Sequence, residues 1–342
     1  MGSKHPIAFS SPFSPSKSEN ETPTYRNYDN KENFKDFIET GIETLQELYF
    51  HLIRKFKDRD CLGKRRGEES SFCFRSYEDC FESAKLLGST IKKMFLHSKV
   101  HDEQFGIKLD VVGVFSKNRE EWVILDIACC FYNITLVPIH ETIDNESIEY
   151  IIKETKMTTL FCSKQHLNKI FELNSGIPLE TIVSFDSLDK ETEEKLLDKG
   201  FEYCLFNDLI NNGSENFYKL PKILPNDVFT ISYTSGTEKK PRGVLITHRN
   251  MISAISNLTS YHLNLNENDT YLSYLPLSHI FERFFIVFCL FSGARIGFYN
   301  GEVMKLKMDI FELKPTVFTS VPKIYSKFNR SFLEQIDKLK GI

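Results

Sequence analysis

The sequence predicts a layered α/β fold with largely parallel sheets. Two observations carry that prediction. Short apolar runs rich in Val, Ile, Phe and Thr recur along the chain, mostly separated by stretches whose apolar residues fall at three- and four-residue steps. Strand runs alternating with helical stretches are the pattern of parallel sheets covered by helices. With 342 residues and 41% hydrophobic content, the chain is long enough to bury a sizeable core, as two domains or one large one.

Taken in order, residues 1–33 are rich in Ser, Pro, Asn, Lys and Glu and poor in aliphatics, so burial cannot offset the entropy of ordering them and a flexible segment is expected. From Phe34 the pattern changes. Phe34, Phe37, Ile38, Ile42, Leu45, Leu48, Leu52, Ile53 and Phe56 predict a long amphipathic helix over residues 34–57. Residues 72–77 read as a strand, and Ser76-Tyr-Glu-Asp79 matches a capping box opening a helix with Phe81, Ala84, Leu87, Ile91 and Phe95 inward. A buried strand over 110–116, a helix over 119–132 and a strand over 135–139 follow. Further strands are expected at 158–162, 181–185, 228–233, 244–247, 270–275, 294–299 and 316–321, with a last helix over 322–340. Asn211-Asn-Gly-Ser214 is the best linker, dividing a first α/β subdomain, 34–210, from a second, 211–342. No internal repeat is visible.

Charge and cysteine usage narrow the function classes. A net charge of −4, from 43 basic and 47 acidic residues, leaves no global footprint for a nucleic-acid polymer. Lys64-Arg-Arg66 reads most simply as a solvated turn. The eight cysteines show no C-x-x-C spacing and no nearby paired histidines, so free thiols in a reducing compartment are expected, with Cys129 and Cys130 in the core. The longest apolar run, Phe284 to Phe291, falls well short of the ~20 residues a spanning helix needs. Met1-Gly-Ser-Lys-His-Pro6 approaches a myristoylation signal but has Pro6 where Ser or Thr is wanted. Any membrane association is therefore expected to be peripheral.

The chemistry concentrates in Tyr233-Thr-Ser-Gly-Thr-Glu-Lys-Lys-Pro-Arg-Gly-Val244, a turn after a strand-like run. Gly236 and Gly243 let backbone N–H groups approach an anion, Thr234, Ser235 and Thr237 add hydroxyl donors, and Lys239, Lys240 and Arg242 add positive charge. The bland alternative is a polar surface hairpin. A Walker-type loop is excluded, because Val244 and Leu245 follow Gly243 where Lys and Ser/Thr are required. Downstream, Tyr271-Leu-Ser-Tyr-Leu-Pro-Leu-Ser-His-Ile-Phe-Glu-Arg283 places His279 after a strand end, where ligands bind in open α/β sheets. The plainer reading is that His279, with Ser278, caps the following helix.

The turn resembles the phosphate loop of the adenylate-forming superfamily, roughly Y-T-S-G-T-T-G-x-P-K-G-V, with departures at Glu238, Lys239 and Arg242. Lys239 stands where the family has Gly, and a left-handed backbone there would cost roughly 1–2 kcal/mol. Glu238 sets a carboxylate where a triphosphate would sit, a repulsion of roughly 4 kcal/mol at about 4 Å unless a lysine neutralises it. Arg242 replaces a point charge by a planar fork. The 271–283 stretch resembles the Y-L-P-L-x-H-I-F-E-R motif of long-chain fatty acid–CoA ligases. So do Ser116-Lys-Asn-Arg-Glu-Glu-Trp122, Tyr132-Asn-Ile-Thr-Leu-Val-Pro-Ile139 and Lys314-Pro-Thr-Val-Phe-Thr-Ser-Val-Pro-Lys-Ile-Tyr325. Their collinear order from about residue 60 onward makes the resemblance specific.

The resemblance implies the layered αβαβα large domain of that superfamily, incomplete at its C-terminus, since the family's Y-G-x-T-E segment, ribose-binding Asp, hinge and catalytic Lys fall beyond Ile342. It implies ATP with Mg²⁺, a fatty acid and coenzyme A as the small-molecule partners. Thr234 is then a candidate near the metal, residues 234–243 cradle the phosphates, and His279 orients the carboxylate. Phe281, Phe284, Phe285 and Phe288 would wall an acyl tunnel or form an ordinary buried helix. A cytosolic location follows by analogy, at the face of the endoplasmic reticulum or another internal membrane. The alternative function is a non-catalytic acyl- or nucleotide-binding pseudo-enzyme or scaffold.

Overall fold

The computed structural model of the protein describes residues 10–16, 18, 20–27, 38, 41–67, 70–102, 106–174, 176–213, 217–234, 240–259, 263–302 and 305–340. Inside the stretch expected to be flexible, β1 (Ser10–Ser14) and β2 (Thr24–Asn27) form an antiparallel hairpin. The Arg26 guanidinium lies 3.3 Å from the centroid of the Phe13 ring, a cation–π contact that composition alone does not reveal.

The first helix is shorter than its periodicity predicts. Phe34 and Phe37 lie outside the described residues, and α1 spans Leu45–Phe56. Thr44 holds extended backbone and its hydroxyl accepts from the Glu47 N–H, while the Glu47 carboxylate accepts from the Thr44 N–H at 3.0 Å, a complete capping box. Just before it, Gly41 sits at φ 75° and turns the chain, so Ile38 and Ile42 reach the core from a loop. A periodic apolar pattern continued through a cap explains the overlong prediction.

A second hairpin joins β3 (Asp60–Arg65) to β4 (Phe72–Ser76), and α2 (Tyr77–Lys93) opens on the predicted box between Ser76 and Asp79. Phe95 is not inward: it follows the helix at φ 55° and is 74% exposed. Next come β5 (Ser98–Asp102), β6 (Ile107–Phe115), α3 (Glu120–Tyr132), β7 (Thr135–Pro138), α4 (Asn145–Thr155), β8 (Thr159–Cys162), α5 (Leu167–Phe171) and β9 (Thr181–Ser184). Then follow α6 (Lys190–Asp198), β10 (Glu202–Leu205), α7 (Phe206–Asn211), β11 (Val228–Thr234), β12 (Arg242–Thr247) and α8 (His248–Thr259). The described chain closes with β13 (Thr270–Ser273), α9 (Ile280–Phe291), β14 (Arg295–Phe298), α10 (Leu306–Leu313) and α11 (Pro322–Lys340). Residues 316–321 form no strand. Val317 makes an isolated bridge to Tyr271, and the Thr316 and Val317 N–H groups both donate to the Thr270 carbonyl.

Eight strands form one sheet in the order β10-β9-β8-β6-β7-β11-β12, with β5 paired to β6. Every pairing from β10 to β11 is parallel, while antiparallel β12 closes one end of this block and antiparallel β5 pairs with the first half of interior β6. The second sheet runs β13-β14-β3-β4, parallel except for the last pair. Each sheet therefore takes strands from both sides of residues 211–214. Asn211 is the last residue of α7, and a division there does not follow the sheets.

Side-chain alternation along the strands sorts the core into layers. Val112, Val114 and Leu136 from the large sheet and Leu62 and Ile296 from the small one meet α1, α2, α3, α8 and α9 in the main core. Val111, Phe115 and Val137 point to the opposite face, against Ile148, Ile151 and Ile152 of α4. Leu272 and Tyr274 face Leu306 and Leu313 of α10. The order helix, sheet, helix, sheet, helix is the predicted αβαβα layering. Cys129 and Cys130 are buried on α3, and all eight cysteines are unpaired thiols. No helix among the described residues is long and apolar enough to cross a membrane.

Candidate functional site

The end of β11 and the loop between β13 and α9 carry the residues the sequence singles out. β11 ends at Thr234, which is exposed and opposite Arg242 of the antiparallel neighbour β12. Ser235, Gly236, Thr237, Glu238 and Lys239 lie outside the described residues, so the predicted cradle is seen by its two legs. Gly243 faces Tyr233 in register, and a Cβ there would stand 2.9 Å from Ile231 Cγ2 and 3.1 Å from Tyr233 Cζ. The glycine thus lets the two strands close around the Tyr233 ring. The Tyr233 hydroxyl donates to Glu154 of α4, and burial together with that carboxylate pushes the phenol up. Tyr150 donates to the same carboxylate, and the Lys240 ammonium lies 5.4 Å from the Tyr150 ring.

His279 occupies the N-cap of α9, with φ −93° and ψ 130°, and its Nδ1 accepts from the Phe281 N–H at 3.2 Å. The sequence gives both a capping and a ligand-facing reading, and the geometry accommodates them together. A neutral imidazole that accepts at Nδ1 carries its proton on Nε2, so the exposed ring offers a donor. His140, just past β7, was not singled out beforehand. Burial pushes it down, and the Lys169 charge acts in the same direction against Glu141. A histidine directly after the apolar 135–139 run was the available signal.

The first turn of α9 is anchored by buried polar groups. The Glu282 carboxyl accepts from Tyr271 and Ser273 hydroxyls, each at 2.7 Å. Burial raises it to about 7, although both hydrogen bonds oppose the rise. Asn118 accepts from the Leu277 N–H at 2.9 Å and donates to Ser273 Oγ and the Leu275 carbonyl. It fixes the loop that carries His279. Arg283 is 1% exposed and makes a two-pronged ion pair with Asp126 of α3 while its Nη1 donates to Thr230 Oγ1 at 2.7 Å. Burial pushes the Asp126 carboxyl up and the guanidinium pulls it back. Along α9 the rings run from Phe281, 46% exposed, through Phe284 and Phe285 to buried Phe288, with Phe284 stacked on Phe288.

A polar crevice of ≈ 750 Å³ lies beside this loop, lined among others by Lys64, Lys117, Asn118, Arg119, Lys164 and Tyr299. Lys64 and Arg65 belong to β3 and do not form a solvated turn. Lys64 bridges Glu120 and Glu121 at 2.6 and 2.9 Å, and Arg65 pairs with buried Asp309. Arg119 joins Glu121 to Asp186 across the crevice. Burial pushes the Glu121 carboxyl up, but Arg119 and Lys64 outweigh it and hold it at about 2.

The AMP-binding enzyme family matches residues 103–340. The chain belongs to that family. It is 31% identical over 306 residues to long chain acyl-CoA synthetase 6, peroxisomal, of Arabidopsis thaliana, covering 88% of this chain and 42% of that one. It is 33% identical over 308 residues to long-chain-fatty-acid–CoA ligase 1 of Homo sapiens, covering 87% of this chain and 43% of the relative. The chain thus spans less than half the length of these curated relatives. Among solved structures, the adenylation domain of a carboxylate reductase from Mycobacterium chelonae matches with TM-score 0.73 at 18% identity, over 88% of this chain and 49% of that one. The A domain of a carboxylic acid reductase from Segniliparus rugosus, in complex with AMP and a co-purified carboxylic acid, matches at 0.70 and 17%, over 87% and 51%. These two matches establish the fold of an adenylate-forming large domain.

Proposed function

We propose that this chain carries the ATP- and carboxylate-recognising part of a long-chain fatty acid–CoA ligase. What supports the reading is Thr234 at the end of β11 and His279 at the N-cap of α9, on the loop that follows β13, in a member of a family whose relatives at about 30% identity are long-chain acyl-CoA synthetases. In the reaction, a fatty carboxylate oxygen bonds to the α-phosphorus of ATP and the bond to the β-phosphate oxygen breaks, releasing pyrophosphate. The thiolate of coenzyme A then attacks the acyl carbonyl, and AMP leaves with its oxygen. Residues 234–243, including Ser235, Gly236, Thr237, Lys239, Lys240, Arg242 and Gly243, would hold the phosphates, and the Nε2–H of His279 would orient the carboxylate.

Magnesium fits only as the nucleotide's companion. Among the described residues there is no cluster of three His, Cys, Asp or Glu side chains. Thr234 would supply one oxygen, with phosphates and water supplying the rest, as is usual for this ion. Bound there, Mg²⁺ would neutralise charge on the phosphates. An amphiphilic substrate favours the cytosolic face of the endoplasmic reticulum or another internal membrane, by peripheral contact.

Glu238 and Lys239 favour a second reading, a binding protein that keeps the fold without turnover. Two measurements separate the readings. Mg-ATP at 100 times its dissociation constant should stabilise the chain by about 2.7 kcal/mol, raising the unfolding temperature by several degrees. No shift at millimolar Mg-ATP rejects the ligase reading and a nucleotide-binding form of the second, leaving the acyl-binding or scaffold form. Exchange of labelled pyrophosphate into ATP, dependent on a long-chain fatty acid, supports the enzyme and rejects the binder; because the resemblance sets the catalytic Lys beyond Ile342, a thermal shift without exchange fits both an incomplete ligase and the binder.

A further inference from the structure

We propose that Arg283 is a positioning residue that sets the register between the two halves of the candidate site, through its bond to Thr230. The inference rests on the ligase reading for its functional consequence, while its structural part stands alone. Arg283 lies four residues after His279, about 6 Å along the helix axis. Thr230 lies four residues before Thr234, about 13 Å along the strand. Each therefore sits just behind a candidate site residue on the same rigid element, and their side chains meet at 2.7 Å in a fully buried place.

The contact is directional. Thr230 Oγ1 accepts from Arg283 and donates to the Leu136 carbonyl of β7 at 2.6 Å, so its one proton and one lone pair are committed. The guanidinium spends Nε and Nη2 on Asp126 and Nη1 on Thr230, lying 4.3 Å from the Phe229 ring centroid and 5.3 Å from that of Trp122. Serving two acceptors from one plane requires the fork; a lysine presents a single point of charge. A pair needed only to hold α3 to α9 would be complete with Asp126. The third bond reaches β11, whose end is Thr234, and so couples the strand to the His279 cap.

The test is hydrogen–deuterium exchange of the ligand-free 342-residue chain, comparing wild type with Thr230→Val and Arg283→Lys. Thr230→Val leaves the Arg283–Asp126 pair in place and removes the Thr230 hydroxyl's two bonds, the one from Arg283 and the one to the Leu136 carbonyl of β7. Coupling predicts exchange at residues 276–281 faster by about tenfold in Thr230→Val, with α3 unchanged. Exchange at 276–281 equal to wild type overturns the proposal, because a purely local loss would stay within β11 and β7. Arg283→Lys should accelerate 228–234 and 276–281 together, and acceleration confined to 120–132 and 283–291 counts against coupling. If Arg283→Lys does not fold, Thr230→Val decides alone. In a calorimetric arm, Mg-ATP affinity should fall about tenfold in Thr230→Val. Wild type that binds no Mg-ATP defeats the ligase reading and leaves the exchange result standing.

Discussion

The β11–β12 hairpin and the first turn of α9 hold the two halves of the candidate site in contrasting ways. β12 is the last strand of its sheet, with Val244 47% and Leu245 42% exposed and its outer hydrogen-bonding edge facing away from β11. The α9 turn is fastened by Glu282, Arg283 and Asn118 to β13, α3, β11 and the loop after β6. An exposed hairpin can shift to take a ligand at little cost. A buried polar network cannot, since each broken bond leaves a desolvated group behind. The contrast sets a more exposed β11–β12 hairpin against a more tightly held α9 turn that carries His279.

The largest effect should come from breaking the buried ion pair. Asp126→Leu leaves Arg283 charged, buried and half-partnered and should cost about 3–5 kcal/mol by urea denaturation. A loss under about 1 kcal/mol would show that the α9 turn is no more constrained than the hairpin. Glu282 comes next, through pH. Its folded value of about 7 exceeds its unfolded one near 4.5, so its contribution is fully present below pH 4.5 and is lost as pH rises through 7. The span is about 3 kcal/mol, and Glu282→Gln should remove that slope. His248 acts in the opposite sense: burial lowers it to about 4, so its contribution is present above pH 6.5 and is lost as pH falls through 4. The difference between Glu282→Gln and wild type isolates the carboxyl from that background. The smallest effect belongs to the hairpin, where Val244→Lys should stay within about 0.5 kcal/mol. A cost several times larger would show that β12 is as constrained as α9.

Much of the layering was legible because parallel strands buried on both faces must be nearly continuous apolar runs, as in 110–116 and 135–139. The box of Ser76 and Asp79 was readable as well, being written in neighbouring residues. What escaped depends on partners far off in the chain. β3, with Asp60, Lys64 and Arg65, looks like a polar turn until Glu120, Glu121 and Asp309 are brought beside it. Asn118 belonged to a recognisable block, but its grip on Leu277 spans 159 positions. His279 was placed correctly at a helix entry, whereas the anchoring role of the two residues at the end of its motif has no local signature. The 34–57 helix was overdrawn because apolar spacing does not register the stop imposed by Gly41 and Thr44.

The small sheet also has a bearing on how the chain is made. β3 and β4 are synthesised early, yet β3 must wait for β14, and the Asp60–Arg295 ion pair at that junction joins positions 235 apart. At translation speeds of about 5–20 residues per second, the Leu62-bearing strand emerges from the ribosome roughly ten to fifty seconds before its neighbour exists. During that interval β3 has β4 alone beside it, and the edge that β14 later covers is open to pairing with other strands.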